Sequence, residues 1–327
     1  MTGPVGRSSD NRGADLLDRR LLFVTGKGGV GKSTAAAALA LLGATRGKKT
    51  LACEVDAKGD IADFFETSRP AFQPHRVASN LWVMAMDTEA SLREYLRLQL
   101  RLPTVARLGP LARVFDFVAT AAPGVREILT VGKIGWEVRE RHYDLVVVDA
   151  PATGHIVGQL TAPQAINDLV RVGQVREQTG WLADLLADPA TTGLVVVTTP
   201  EEMPVNETIE LVERVRSETR ISVAAIVVNR VLPELFSGAD EGVFERLSEP
   251  TMSDRLADAV QGPVAPVLDA ARLAVILRRT HAGHLEHLRA SLDPSVPLLY
   301  VPYLFARGHG LRTTGQVADA LSAELGF

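Results

Sequence analysis

"TGKGGVGKST", Thr25 to Thr34, decides how this chain is read. Gly26-xxxx-Gly31-Lys32-Ser33 within it fits the pattern GxxxxGK followed by serine or threonine. The apolar run "LLFVT" (21–25) precedes the pattern, and the alanine-rich "STAAAALALLGATRG" (33–47) follows it. Strand, glycine loop and helix in that order form a phosphate cradle. The glycines let consecutive N–H groups turn inward, and the helix N-terminus adds the positive end of its dipole. Gly26, Gly28, Gly29, Val30, Gly31 and Thr34 are therefore expected around phosphate oxygens. Lys32 is expected to reach β- and γ-phosphates, and the Ser33 hydroxyl to ligate Mg²⁺.

Lys27 is a second lysine in the loop, although the chain has only six. On the outer bend of the loop it is badly placed to fold onto its own phosphates. A cation there is placed to cross to a partner subunit's nucleotide, as an arginine finger does. The expectation is a catalytic Lys27 and two subunits facing each other across two nucleotides.

The rest of the chain fits a globular α/β protein. It has 327 residues, 46% hydrophobic and 23% charged, with a net charge of −4. That balance gives no footing for nucleic acid. No apolar run reaches the roughly 18 residues of a membrane span, so no stable membrane insertion is expected. Residues 1–19 have no signal-peptide core and read as a flexible lead-in to a single domain over 20–327, expected in the cytoplasm. Cys53 is the only cysteine, and its surroundings "TLACEVD" read as a buried strand.

Seven short runs rich in Val, Leu and Ile, at 21–25, 50–55, 81–86, 144–150, 194–199, 222–229 and 297–303, predict parallel strands buried on both faces. Helix-forming segments alternate with them, and Gly47 is placed to end the first. The fold class is α/β, a doubly wound, mostly parallel sheet. Residues 88–143 and 156–190 are too long for single crossovers and predict an inserted helical subdomain. Residues 231–262 read as a further surface insertion.

The residues also carry a family resemblance. "KGGVGKST" is similar to the deviant Walker A loop of the signature-lysine ATPases, and "VVVDAPATGH" (146–155) resembles switch II of their ArsA/Get branch. "TTPEEMPVNET" (198–208), "VVNR" (227–230) and "VPYLFARGHGL" (301–311) are similar to later motifs of that branch. "APGVREILTVGKI" (122–134) looks most like actinobacterial members. The resemblance implies a dimeric, ATP-hydrolysing switch protein that couples nucleotide state to a client or partner. It implies Asp149 in the Mg²⁺ shell, with Glu201, Asn229, Pro302 and Phe305 near the nucleoside. It places Asp56 where the attacking water is oriented. It also implies a homodimer, or a heterodimer with a paralogous ATPase, and an apolar protein client.

Switch I departs from the family form. "DAKGDIADFF" (56–65) keeps Asp56, Asp63 and Phe65 but has Ala57, Lys58 and Gly59 in place of proline, alanine and histidine. Glycine there loosens the loop, which puts the hydrolysis rate in doubt and keeps a low-turnover partner subunit as an alternative. One cysteine makes neither a zinc-bridging CxxC nor an arsenite-binding thiolate set, so no zinc is expected and an arsenite-pump role is disfavoured. A MinD/ParA-type positioning ATPase needs a basic or membrane-binding tail, and "TTGQVADALSAELGF" (313–327) has no lysine or arginine.

Overall fold

The computed structural model describes residues 15–56, 60–100, 124–169, 174–306, 308 and 310–327. An eight-stranded sheet forms its centre. In chain order the strands are β1 (Leu21–Gly26), β2 (Thr50–Glu54), β3 (His75–Ala78), β4 (Leu81–Ala85), β5 (Leu145–Asp149), β6 (Thr192–Thr198), β7 (Val223–Val231) and β8 (Leu298–Pro302). Across the sheet the order is β3-β4-β2-β5-β1-β6-β7-β8. All neighbours are parallel except the edge pair β3–β4. β1 lies between β5 and β6, so the glycine loop leaves the middle of the sheet at the point where the strand order reverses. In doubly wound sheets that crevice, outside the carboxyl ends of the strands, is where ligands bind.

The seven predicted strands are all present. β3 was missed because "HRVA" is four residues long, carries two polar side chains and sits at an edge with alternating exposure. A tight turn through Asn80, in the left-handed region at φ 59°, returns it to β4.

Helices cover both faces. On one side Leu22, Val24, Ala52, Val147, Val197 and Val227 pack beneath α1 (Asp15–Asp18), α2 (Lys32–Thr45) and the C-terminal helix 311–324. On the other, Phe23, Cys53, Val146, Val148, Val196 and Val228 pack beneath helices 125–139, 153–169, 174–187 and 202–218. Alternate strand residues supply the two faces, as the period-two pleat requires. The lead-in boundary at residue 19 shifts: Leu16 and Leu17 are buried, and Lys48 Nζ donates to the Leu17 carbonyl at 2.6 Å. Residues 1–14 lie outside the described residues.

Within 88–143, helix 88–100 and helix 125–139 are described, and 101–123 lies outside, with Val114, Phe115, Phe117 and Val118. The two helices are joined by a buried charge cluster. Lys133 Nζ lies 2.8 Å from Glu94 Oε2 and 2.7 Å from Glu137 Oε1, and His142 Nδ1 lies 2.7 Å from Glu137 Oε2. Burial alone would lower the Lys133 pKa, but its hydrogen bonds to Glu137 and Glu94 outweigh burial and the net shift is upward. The insertion at 231–262 carries helices 238–247 and 250–260, followed by a 27-residue helix, 265–291, that buries only Leu288.

Replacing Lys133 leaves Glu137 buried without its cation. Lys133→Met is expected to destabilise the fold by roughly 3–5 kcal/mol, read as a lower urea midpoint at unchanged slope.

Candidate functional site

The loop after β1 owes its shape to glycine at two positions. Gly26 has φ 156°, and a Cβ there would lie 2.1 Å from the Val197 carbonyl oxygen. Gly31, the N-cap of α2, has φ 96°, and a Cβ there would lie 2.3 Å from Asn229 Nδ2. Asn229 is the clamp in this arrangement. Its Nδ2 donates to the Val30 carbonyl at 2.8 Å, and its Oδ1 accepts from the Arg230 amide at 2.9 Å. One amide proton of Asn229 is thus used in holding the loop, and one lone pair in holding the next residue of its own strand. Val30 itself is buried, so the bend cannot swing out into solvent.

Above the loop lies a cavity of about 400 Å³. Gly28, Gly29, Gly31, Lys32, Ser33 and Thr34 line one wall. Three carboxylates, Asp56, Asp63 and Asp149, line another. Phe64 adds an apolar patch and Arg230 a second cation. Loop glycines, a lysine, a hydroxyl and acids therefore meet where a polyphosphate and a hard cation need them. The oxygen donors of Ser33 and Asp149 suit Mg²⁺, which takes one or two protein oxygens and completes its shell with water and phosphate. Among the described residues there is no cluster of three or more His, Cys, Asp or Glu suited to a metal.

Asp149 ends β5 and is nearly buried, at 7% exposure. Its main-chain carbonyl accepts from Val55 N at 3.1 Å, and the next amide, Ala150 N, donates to the Val24 carbonyl at 3.0 Å. Thr25 Oγ1 donates to the Pro151 carbonyl at 2.7 Å. The strand ends carrying Asp56, Asp149 and the loop are thereby tied together. Helix 153–169 starts four residues after Asp149. Ala57, Lys58 and Gly59 lie outside the described residues.

Lys27 does not line the cavity. Its ammonium pairs with Glu207 Oε1 at 2.5 Å, on helix 202–218 of the same chain. Lys32 Nζ donates to the Lys27 carbonyl at 3.3 Å, curled back over the loop. The four residues expected on the nucleoside side also stand apart from the cavity lining, Asn229 as the clamp on Val30. Glu201 is exposed at the N-cap of helix 202–218. Pro302 ends β8, and Phe305 is 79% exposed beside Tyr303, with ring centroids 4.8 Å apart. Glu207 and Arg230 were not singled out from sequence. Their placement depends on helix register and on a strand irregularity, neither of which has a motif. Burial pushes the Cys53 thiol up well beyond its usual range, so it is an inert core thiol.

The described apolar residues of the helical stretches are mostly core. Ile134, Val138, Ile156, Leu160, Leu182 and Leu186 all pack against the sheet. Exposed large apolar side chains stand elsewhere, with Met252, Val260, Val267, Leu273, Ile276 and Leu277 on helices 250–260 and 265–291.

A family model described as "Anion-transporting ATPase" matches residues 19–184 and 171–246, more than half of the chain. The chain belongs to the anion-transporting ATPase family. It is 33% identical over 319 residues, covering 93% of this chain and 91% of the relative, to "ATPase BagA" of Mycobacterium tuberculosis. It is 28% identical over 247 residues to "Putative arsenical pump-driving ATPase 2" of Aquifex aeolicus, covering 66% of this chain and 81% of that one. It is 29% identical over 174 residues to "ATPase GET3" of Chaetomium globosum, covering 51% of each. The anion-transporting ATPase assignment makes the chain an ATPase, and the cavity at the glycine loop is where its nucleotide chemistry is to be sought. Among the described residues, no helix of this ATPase is long and apolar enough to cross a membrane.

Gly31→Ala strains a left-handed backbone and drives a methyl into the Asn229 amide. It is expected to weaken nucleotide binding more than tenfold, a loss of over about 1.4 kcal/mol, in a titration with a fluorescent ATP analogue. Gly283→Ala, in helix 265–291 and outside the cavity lining, where a Cβ meets nothing within 4 Å, provides the control.

Proposed function

We propose that the chain is an ATP-driven dimeric switch, in which two copies close over their nucleotides and each Lys27 crosses to its partner's site. The observation that carries this reading is the division of labour between the two loop lysines. Lys32 lines the phosphate cavity, and Lys27 is turned away from it, onto Glu207. A lysine kept outside its own site by an acid is available to another.

Within one subunit the loop amides and the N-terminus of α2 bind the phosphates, and Lys32 leaves the Lys27 carbonyl to reach the β- and γ-oxygens. Ser33 and Asp149 would hold Mg²⁺, which would supply positive charge to offset that of the phosphates. Asp56 accepts a hydrogen bond from the attacking water and aims its oxygen at the γ-phosphorus. The new P–O bond forms as the bond to the β-bridging oxygen breaks, giving ADP and phosphate, and the water's protons pass to phosphate and solvent. Lys27 from the partner neutralises charge developing at the bridging and γ-oxygens.

Coupling runs through Asp149. Its strand end leads within four residues into helix 153–169, which packs on helices 125–139 and 174–187. A shift at the γ-phosphate is thereby passed to the helical layer, where an apolar protein client or partner subunit would sense it. The buried, lone Cys53 offers no thiolate set for arsenite within one chain. A heterodimer with a paralogous ATPase uses the same geometry.

Three variants separate the roles by isothermal titration and phosphate release. Lys32→Ala is expected to lose roughly tenfold or more in ATP affinity. Lys27→Ala is expected to bind ATP within one subunit as the parent does and to turn over about 100-fold or more slower, since without the trans cation the two subunits do not close over ATP and the transition state loses that charge. Asp56→Asn is expected to behave like Lys27→Ala. Normal turnover by Lys27→Ala contradicts the trans role, and tight binding with almost no turnover in the parent chain would favour a low-turnover partner subunit.

A further inference from the structure

The pairing of β7 with β8 is irregular at one place. Val228 pairs with Tyr300 and Val231 with Pro302, so two residues, Asn229 and Arg230, stand opposite the single Val301. A bulge of this kind re-aims side chains and is uncommon in parallel pairs. Arg230 sits in it at φ 59°, one of five described non-glycine residues with positive φ. In a regular strand two consecutive side chains point to opposite faces. The bulge instead lets both serve the loop: Asn229 clamps the Val30 carbonyl, and Arg230 lines the cavity.

The position of Arg230 in the sheet sets its task. Asp149 ends β5 and Asp56 follows β2, both on one side of β1. Arg230 is the penultimate residue of β7, on the other side of β1 beyond β6. The acids mark the end of the cavity that takes Mg²⁺ and the γ-phosphate, so Arg230 faces the opposite, nucleoside end. Of the residues expected there from the sequence, Glu201, Asn229, Pro302 and Phe305 do not line the cavity, and Asn229 is engaged with the loop. A strained backbone that carries the only arginine among the described lining residues calls for a ligand contact to justify it.

We infer that Arg230 is a nucleotide-binding residue whose planar guanidinium lies against the base of the nucleotide in the loop cavity. This rests on the reading of that cavity as the ATP site. Guanidinium groups stack on aromatic faces and remain charged at all working pH values, so the contact is insensitive to pH. Among the described lining residues Lys32 is the other cation, and it belongs to the phosphates.

The test uses the full chain and three probes: ATP, ADP and inorganic tripolyphosphate, which has the charges without the base. Arg230→Gly removes the guanidinium and relieves the left-handed strain, so it is expected to fold at least as stably as the parent in a thermal melt. It is expected to lose roughly five- to tenfold in affinity for both ATP and ADP while binding tripolyphosphate as the parent does. Arg230→Lys is expected to recover little of the loss, because an ammonium does not stack as a guanidinium does. Unchanged ATP affinity in Arg230→Gly overturns the inference. An equal loss for tripolyphosphate overturns it too, by making Arg230 a phosphate anchor. A parent chain that binds tripolyphosphate and ADP no better than the Lys32→Ala variant instead sinks the reading of the cavity itself.

Discussion

The fold around the site turns on one constraint: the loop after β1 must hold its amides inward while leaving a sheet that is buried on both faces. Gly31 in the left-handed region makes the bend, and the Asn229 amide occupies the space its missing side chain would need. The bond from Asn229 to the Val30 carbonyl joins a strand two places away to the loop, so the bend is fixed from outside as well as by its own glycines. Gly26 packing against the Val197 carbonyl fixes the other end. With both ends pinned, the first turn of α2 presents its N–H groups to a cavity whose far wall is built from β2 and β5. The cavity is thus a property of strand order as much as of the loop.

Lys27 and Lys32 sit five residues apart and meet opposite electrostatic demands. Lys32 stays with the loop carbonyl, near where phosphate would draw it. Lys27 is held by Glu207, about one-third exposed. A pair this exposed contributes little to folding, about 0–1 kcal/mol, so exchanging Glu207 for another anion costs little. Weakness is what an exchangeable contact requires. The Lys133–Glu137 pair is the contrast: buried, shared among several groups, and structural in consequence.

Much of this was legible in the sequence, for identifiable reasons. The loop, its strand and its helix follow from spacing alone, because only glycine supports those backbone angles. Asp149 was singled out through the resemblance of "VVVDAPATGH" to switch II, and the structure sets it at the end of β5 on the cavity wall. β3 was not, since "HRVA" has neither length nor apolar content. Leu16 and Leu17 were hidden by the polar residues around them. Arg230 was hidden because its role arises from a bulge that depends on β8, some seventy residues further on. Glu207 faces Lys27 only through the register of helix 202–218. The family resemblance put Phe305 near the nucleoside, but its aromatic partner is Tyr303, at the surface. The described apolar side chains of the predicted helical subdomain largely complete the core beneath the sheet. Exposed apolar surface gathers instead on helices 250–260 and 265–291, a segment that read as a plain insertion.

The central claim is that ATP brings two copies together through Lys27. The most direct measurement is the solution mass of the full chain by light scattering, with Mg·ATP held unhydrolysed in the Asp56→Asn variant and with ADP. The account predicts twice the 35.2 kDa chain mass with ATP and the single-chain mass with ADP, and no doubling once Lys27→Ala is added. A single-chain mass in both nucleotides, or a doubling that survives Lys27→Ala undiminished, would contradict it.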